Sequence, residues 1–163
     1  MEDGVLSNAM FVLRLAQAGD VLDILHWRND AHTRLMSRSG TVIEQDEHRA
    51  WFARVLEDPD RLLLVGTHAG RKIGMVRFDR HAPAQWEVNI VMAPEARGQG
   101  FGKHLLGMAI EFFFSVNPEA SLVAEVKVDN TASHRLFCSL GFARDTDDCG
   151  EFVRYTLCRT CHR

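Results

Sequence analysis

The segment Arg97-Gly98-Gln99-Gly100-Phe101-Gly102 constrains this chain more than any other stretch. It lies between the run Gln85 to Met92, which Pro94 ends, and apolar positions at Phe101, Leu105, Met108, Ala109, Phe112 and Phe113. Those apolar positions trace the stripe of an amphipathic helix. The loop therefore joins a strand to a helix N-terminus, and its small residues leave successive backbone N–H groups uncovered. Such a nest binds phosphate through aimed N–H dipoles, the glycines allow close approach, and Arg97 adds a fixed cation. The alternative is an ordinary glycine-rich turn, and the order of the surrounding elements has to decide.

Phe11 to Leu15 alternates like a half-buried strand, and Gly19-Asp20 breaks it before Val21, Leu22, Ile24 and Leu25 at helical spacing. The polar cluster Trp27-Arg28-Asn29-Asp30 should end or bend that helix. Thr41 and Glu44 have capping-box spacing ahead of a second helix, with Trp51, Phe52, Val55 and Leu56 on one face up to Asp58-Pro59. Leu62 to Thr67 and Ile73 to Asp79, joined by Ala69-Gly70-Arg71-Lys72, read as an antiparallel hairpin, and Gln85 to Met92 as the third strand. After the glycine loop and its helix come a buried-looking strand, Leu122 to Val128, and a helix, Asn130 to Leu140, closed by Gly141. A turn at Asp147-Asp148-Cys149-Gly150 leads to a final strand, Glu151 to Leu157. Two helices, a strand hairpin and alternating elements predict a mixed α/β sheet with helices on both faces.

At 163 residues the chain suits one domain. We place it at 11–158, with 1–10 as a disordered or tag-like start and 159–163 as a tail. A net charge of -3 gives no basic surplus for nucleic-acid binding. Met1-Glu2-Asp3 lacks the positive region of a secretory signal, and no run approaches the ~18 apolar residues of a membrane helix, which points to the cytoplasm. Cys158-Arg159-Thr160-Cys161-His162 matches the haem-attachment pattern, yet it sits after the last strand with nothing to build a haem pocket. Cys149, Cys158, Cys161 and His162 contain only one close ligand pair for zinc. The expectation is free thiols, no haem and no metal.

The loop is neither a Walker nor a Rossmann pattern, because it lacks Gly-Lys-Ser/Thr and follows an antiparallel hairpin rather than opening a βαβ unit. At this point the chain resembles the GNAT family of N-acetyltransferases. Arg97, Gly100 and Gly102 fill the defined positions of the family's pyrophosphate motif, in the segment Arg97-Gly98-Gln99-Gly100-Phe101-Gly102. A second family segment matches at Asn130-x-x-Ser133-x-x-Leu136-Phe137, ending in Gly141-Phe142. The resemblance implies a mostly antiparallel central sheet and acetyl-coenzyme A as cosubstrate. It also implies a pantetheine arm that pairs with backbone groups of Ile90, Val91 and Met92 like an added strand, and a coenzyme site bordered by Asn130 and Phe137. Read from the residues alone, Asn130 is also an N-cap.

Acyl transfer from a thioester to an amine requires removal of the amine proton, stabilisation of the tetrahedral oxyanion and protonation of the thiolate. Glu87 is the candidate base, sharing a strand face with Asn89 and Val91; the alternative is that it faces solvent or pairs with Arg77. Many relatives carry a tyrosine where this chain has Phe137, and the sole tyrosine, Tyr155, lies in the terminal strand. The thiolate proton then comes from water, from the substrate ammonium or from a residue the sequence does not identify.

For the acceptor, Trp27-Arg28-Asn29-Asp30 with His48-x-x-Trp51-Phe52 resembles the branch that acetylates nucleotide-linked aminosugars, and ribosomal-protein acetyltransferases share parts of it. Arg28 is a candidate diphosphate or carboxylate contact, Arg77 and His48 are further candidate substrate contacts, and Trp51 or Trp86 is a candidate stacking platform. Alternatively Arg28 caps the first helix and the tryptophans are core. A non-catalytic acyl-coenzyme A-binding module is the competing class. The Phe112-Phe113-Phe114 run serves either as core or as a homodimer surface.

Overall fold

The computed structural model describes residues 4–8, 10–146 and 150–159. Eight strands form one sheet in the order β1-β2-β3-β4-β5-β6-β8-β7. They are β1 (Gly4–Asn8), β2 (Phe11–Leu15), β3 (Arg61–His68), β4 (Arg71–Ala82), β5 (Gln85–Met92), β6 (Ser121–Lys127), β7 (Ala143–Arg144) and β8 (Phe152–Cys158). The helices are α1 (Val21–Asn29), α2 (Ala31–Met36), α3 (Gln45–Glu57), α4 (Phe101–Val116) and α5 (Thr131–Ser139). Every neighbouring pair is antiparallel except β5 and β6. This is the mixed, mostly antiparallel sheet that the resemblance implied.

Local expectations failed in four places. The stretch 1–10, read as loosely attached, contains β1, whose residues pair with β2 from Gly4↔Arg14 to Asn8↔Phe11. Thr41 does not cap α3, since the helix begins after Glu44 and the Thr41 hydroxyl bonds Ser39 Oγ at 2.6 Å. The buried stripe of α3 is His48, Phe52 and Val55, at spacings of four and three, whereas Leu56 is exposed. Helix α2 gave no periodic signal because it buries none of its residues. The turn at Asp147-Asp148-Cys149 and the Cys161-His162 pair lie outside the described residues, and no group of three metal ligands occurs among those described.

Strand register divides β5 between two faces. Trp86, Val88, Ile90 and Met92 oppose Arg80, Phe78, Val76 and Gly74 on β4, while Glu87, Asn89 and Val91 oppose Asp79, Arg77 and Met75. The first face packs on α4: the Phe78 and Phe113 rings stack with centroids 4.6 Å apart, and Trp86 meets Phe113 at 5.4 Å. Helix α4 lies close to the sheet because Gly66 and Gly74, paired across β3 and β4, carry no side chains. A Cβ on Gly66 would stand 2.4 Å from Leu105 Cδ1. Phe113 and Phe114 are buried in the core, and Phe112 is half-buried against it. The second face looks towards α1, α2 and α3, which leave a cavity between themselves and the strands.

Candidate active site

The cavity exists because β5 and β6 part company. Their parallel pairing is confined to Gln85↔Ser121, Trp86↔Leu122 and Glu87↔Val123. Beyond Glu87 the β6 edge of β5 has no strand partner among the described residues, while β6 continues alongside β8 as far as Lys127↔Phe152. The resulting fork opens into a cavity of about 1410 Å³. Unpaired backbone groups of Ile90, Val91 and Met92 run along one side of it. An edge of that kind accepts an extended amide-bearing chain as an added strand.

The glycine loop stands at the open end of the fork. A short 3-10 turn, Pro94–Ala96, leads into Arg97, and α4 begins at Phe101 with Gly100 as its N-cap. Gly98 and Gly100 have φ of 76° and 77°. That left-handed backbone is cheap only for glycine and turns the N–H groups outward. An ideal Cβ at either position would meet nothing within 4 Å, so the glycines serve backbone shape rather than internal packing. Gly98, Gly100, Phe101 and Gly102 all line the cavity, and Lys103 and Arg135 add cations from α4 and α5. The residues present therefore fit the diphosphate and pantetheine of coenzyme A.

Two parts of the expected cradle behave differently. Gln99 does not line the cavity; its Nε2 donates to Glu95 O at 3.1 Å. Arg97 is not simply a free cation beside the nest, because its Nη2 donates to Asp30 Oδ2 at 2.8 Å and to Thr33 Oγ1 at 2.7 Å. Asp30 also accepts from Thr33 N as the cap of α2, and the Arg97 hydrogen bond holds its carboxyl below the usual range. The glycine loop and α2 are thus tied through one carboxylate.

On the α5 side, Asn130 Oδ1 accepts from Ser133 N at 3.2 Å, as an N-cap should. Asn130 and Phe137 both line the cavity. Phe137 is buried against Phe142 and Tyr155, with centroids 5.0 Å and 6.2 Å away. Tyr155 is buried and absent from the lining, and it shares a 2.7 Å hydrogen bond with His134 Nδ1. Its phenol is therefore part of the core network and does not replace the tyrosine that Phe137 lacks.

The cavity wall formed by α1 and α3 centres on Trp51. The Arg28 guanidinium lies 4.2 Å from its ring centroid and that of Arg77 lies 5.4 Å away. Arg28 has no carboxylate partner among the described residues. Burial, then the nearby Arg77 charge, lower its pKa to about 10, and Glu47 opposes the shift. Arg28 is held by His48, whose Nδ1 is 3.3 Å from Arg28 Nη1 and whose Nε2 is 2.7 Å from Val21 O. A neutral imidazole with the proton on Nε2 satisfies both bonds. Burial pushes the His48 pKa down, the Val21 bond opposes this, and Arg28 and Arg49 add to it. His48 is 0% exposed and stands behind Arg28 in the cavity wall. Trp86 belongs to the opposite face, away from this cavity, with the Arg80 guanidinium 5.9 Å from its ring centroid.

Glu87 occupies the apex of the fork and lines the cavity together with Asn89 and Val91, with which alternation grouped it. It does not pair with Arg77, which donates instead to Asp79 Oδ2 at 2.8 Å. Glu87 Oε2 is 2.8 Å from His81 Nε2. Sequence reasoning missed His81 because the expected strand ended at Asp79, whereas β4 runs on to Ala82 and alternation from Asp79 then puts His81 on the same face.

A forked mixed sheet with a phosphate nest at the opening and an amine-side helical wall is the architecture of an acyl-coenzyme A-dependent transferase. The sequence profile of the Acetyltransferase (GNAT) domain matches residues 11–143, and the chain belongs to that family, with acetyl-coenzyme A as cosubstrate for N-acetyl transfer. Spermidine N(1)-acetyltransferase of Vibrio cholerae is 23% identical over 143 residues, 85% of this chain and 82% of that protein. The crystal structure of spermidine N-acetyltransferase from that organism, in complex with CoA and spermine, superposes with a TM-score of 0.83 at 20% identity. It covers 94% of this chain and 98% of the other. A ribosomal L7/L12 alpha-N-protein acetyltransferase bound to coenzyme A gives 0.80 at 16% identity, covering 95% and 97%. An uncharacterised Mycobacterium leprae protein is 35% identical over 72 residues, which are 44% of this chain and 19% of that longer protein.

Proposed function

We propose that this enzyme acetylates the primary amine of an acceptor that carries an anion, with a nucleotide-linked aminosugar as the best fit. The observation that carries this reading is the pair of guanidiniums over Trp51. An aromatic face flanked by two cations suits a base or sugar ring joined to a diphosphate. The charge of the cavity argues against a polyamine acceptor of the kind the Vibrio relative is named for. Nine Arg and Lys residues line it against four Asp and Glu, and of those acids Asp79 is bound by Arg77 and Glu125 by Arg38. A polycation would meet mostly like charge, whereas a diphosphate would relieve the Arg28–Arg77 repulsion.

In this reading the nest of Gly98, Gly100 and Gly102, with Arg97, holds the pyrophosphate. Ile90, Val91 and Met92 pair with pantetheine and polarise the thioester, and Asn130 and Phe137 border the arm. Glu87 takes the proton from the acceptor ammonium. Arg28, Arg77 and Trp51 hold the acceptor's far end, with His48 as a support.

Coenzyme A release is measured with nucleotide aminosugars, peptide N-termini, spermidine and aminoglycosides. Turnover with a nucleotide aminosugar is expected, and Arg28→Ala should raise its KM by about 10-fold or more, the scale of one charge-assisted hydrogen bond. Turnover of spermidine alone, with Arg28→Ala improving it, would overturn the acceptor assignment. Tight acetyl-coenzyme A binding without turnover of any amine would make the chain a binding module instead.

A further inference from the structure

We infer that His81 is a positioning residue for the reaction: it holds the Glu87 carboxylate at the apex of the fork with one oxygen left to receive the acceptor's proton. The inference rests on the reading of Glu87 as the base. Asp79 and Glu87 stand directly opposite each other on β4 and β5, two carboxylates on one strand face. Left alone they would repel and spread. The structure separates their partners completely. Asp79 receives Arg77 at 2.8 Å and has Arg61 Nε 3.7 Å from its Oδ1. Glu87 receives only His81, through Oε2 at 2.8 Å, and Oε1 has no partner among the described residues.

His81 reaches Glu87 because of the irregularity at the end of β4. Arg80 pairs with Trp86 and Ala82 with Gln85, so His81 is the extra residue on its strand and has no residue opposite it. His81 is two residues on from Asp79, so alternation along β4 keeps it on the cavity face, and the bulge leaves it without an opposite residue there, free to lean towards Glu87. Both His81 and Glu87 line the cavity. Glu87 is also the last residue of β5 paired with β6, at Val123, so its carboxylate sits where the fork closes and an acyl group inserted from the open end would stop.

The step balances as follows. The acceptor arrives as R–NH3+, one N–H bond breaks, and its proton forms an O–H bond on Glu87 Oε1. The freed lone pair forms the C–N bond to the thioester carbonyl, giving a tetrahedral adduct with a protonated nitrogen. Collapse breaks the C–S bond with its electron pair on sulfur, and the proton from that nitrogen passes to the thiolate. Glu87 then returns its proton to solvent, so one proton is released per acetyl group transferred. Throughout, His81 Nε2–H stays on Oε2 and keeps the carboxylate from rotating away or turning towards a cavity arginine.

The test compares His81→Leu, His81→Gln, Glu87→Gln and the double variant His81→Leu/Glu87→Gln in steady-state coenzyme A release, with thermal unfolding as a folding control. His81 is about half exposed, so none of its variants should unfold the chain. His81→Leu should lower kcat roughly tenfold, the scale of one charge-assisted hydrogen bond, with the KM for acetyl-coenzyme A unchanged. His81→Gln, which keeps a donor at the same reach, should recover most of the loss. The double variant should be no slower than Glu87→Gln alone. If Glu87→Gln is slow but His81→Leu turns over like the parent, His81 has no positioning role and the base assignment survives. If Glu87→Gln itself keeps full activity, the reading of Glu87 fails first. Equal losses in His81→Leu and His81→Gln would also overturn the inference.

Discussion

Gly74→Ala tests the link between core packing and the cofactor edge. Gly74 pairs with Met92 across β4 and β5, and Val91 O is part of the same close approach. A Cβ on Gly74 would lie 2.6 Å from Val91 O, 3.1 Å from Met92 Cα and 3.1 Å from Leu105 Cδ2. Ordinary contact begins near 3.4 Å, so the worst pair is short by about 0.8 Å. Leu105 can turn a methyl aside, but Val91 O and Met92 Cα are backbone and must move with the strand. They are anchored nearby by Ala93 N–H to Ile73 O at 2.8 Å. Overpacking of this kind costs about 1–3 kcal/mol. At this chain length about 2 kcal/mol lowers Tm by roughly 4–8 °C. Because the displaced segment is the edge proposed for pantetheine, acetyl-coenzyme A should also stabilise the variant less than the parent. Circular dichroism melts with and without acetyl-coenzyme A measure both effects. Gly19→Ala is the control, since its Cβ would meet nothing within 4 Å and it should melt at or slightly above the parent, never below it. A Gly74→Ala protein that melts within 1 °C of the parent, a margin well below the roughly 2 °C of the mildest overpacking, would refute the argument.

Two other perturbations separate electrostatics from helix ends. Asp20 is 2% exposed and accepts both Arg14 guanidinium nitrogens, at 2.7 and 2.8 Å, Lys72 at 2.7 Å and Gln17 N–H at 2.8 Å. Burial pushes its carboxyl up, but the Arg14 and Lys72 hydrogen bonds outweigh this and hold it well below the usual range. A carboxyl depressed in the folded state contributes stability that is present above its unfolded pKa near 4 and is lost as pH falls through the folded value. Asp20→Asn should therefore cost about 3 kcal/mol at pH 7 and flatten the fall in Tm between pH 4 and pH 2; an unchanged acid slope would count against this. Asn130→Ala removes the cap on Ser133 N and should cost about 1 kcal/mol, roughly 2–4 °C in Tm, with Asn130→Asp restoring it; equal melting of all three would show that the cap is idle.

The local spacing of residues made most elements legible. The 3.6-residue stripe of α4, the punctuation by Pro94 and Gly141 and the strand alternation of β5 each act within a few residues of chain, so their physics is present in the sequence. The same holds for the phosphate nest, where Gly98 and Gly100 supply left-handed backbone whatever surrounds them. The misses were tertiary. Residues 4–8 form a strand because β2 offers an edge, and Thr41 and Leu56 lost their expected roles because α3 begins later and turns His48 inward. Trp51 and Trp86 were equivalent as aromatic candidates, yet opposite sheet faces made one a cavity wall and the other core.

The loop from Arg97 to Gly102 thus signalled a phosphate nest, because a strand, glycines and a helix start are consecutive in the chain, and the order of the neighbouring elements with the segment from Asn130 pointed on to the cosubstrate. What the tertiary structure alone decided is the rest of the site. It opens β5 and β6 after three residue pairs, ties Arg97 to Asp30 across 67 positions, stacks Arg28 and Arg77 on Trp51, and sends Glu87 to His81 while Arg77 goes to Asp79. These contacts join residues far apart in the sequence or displaced by a bulge. They follow from register and from competition among charges for partners, which periodicity along one chain does not encode.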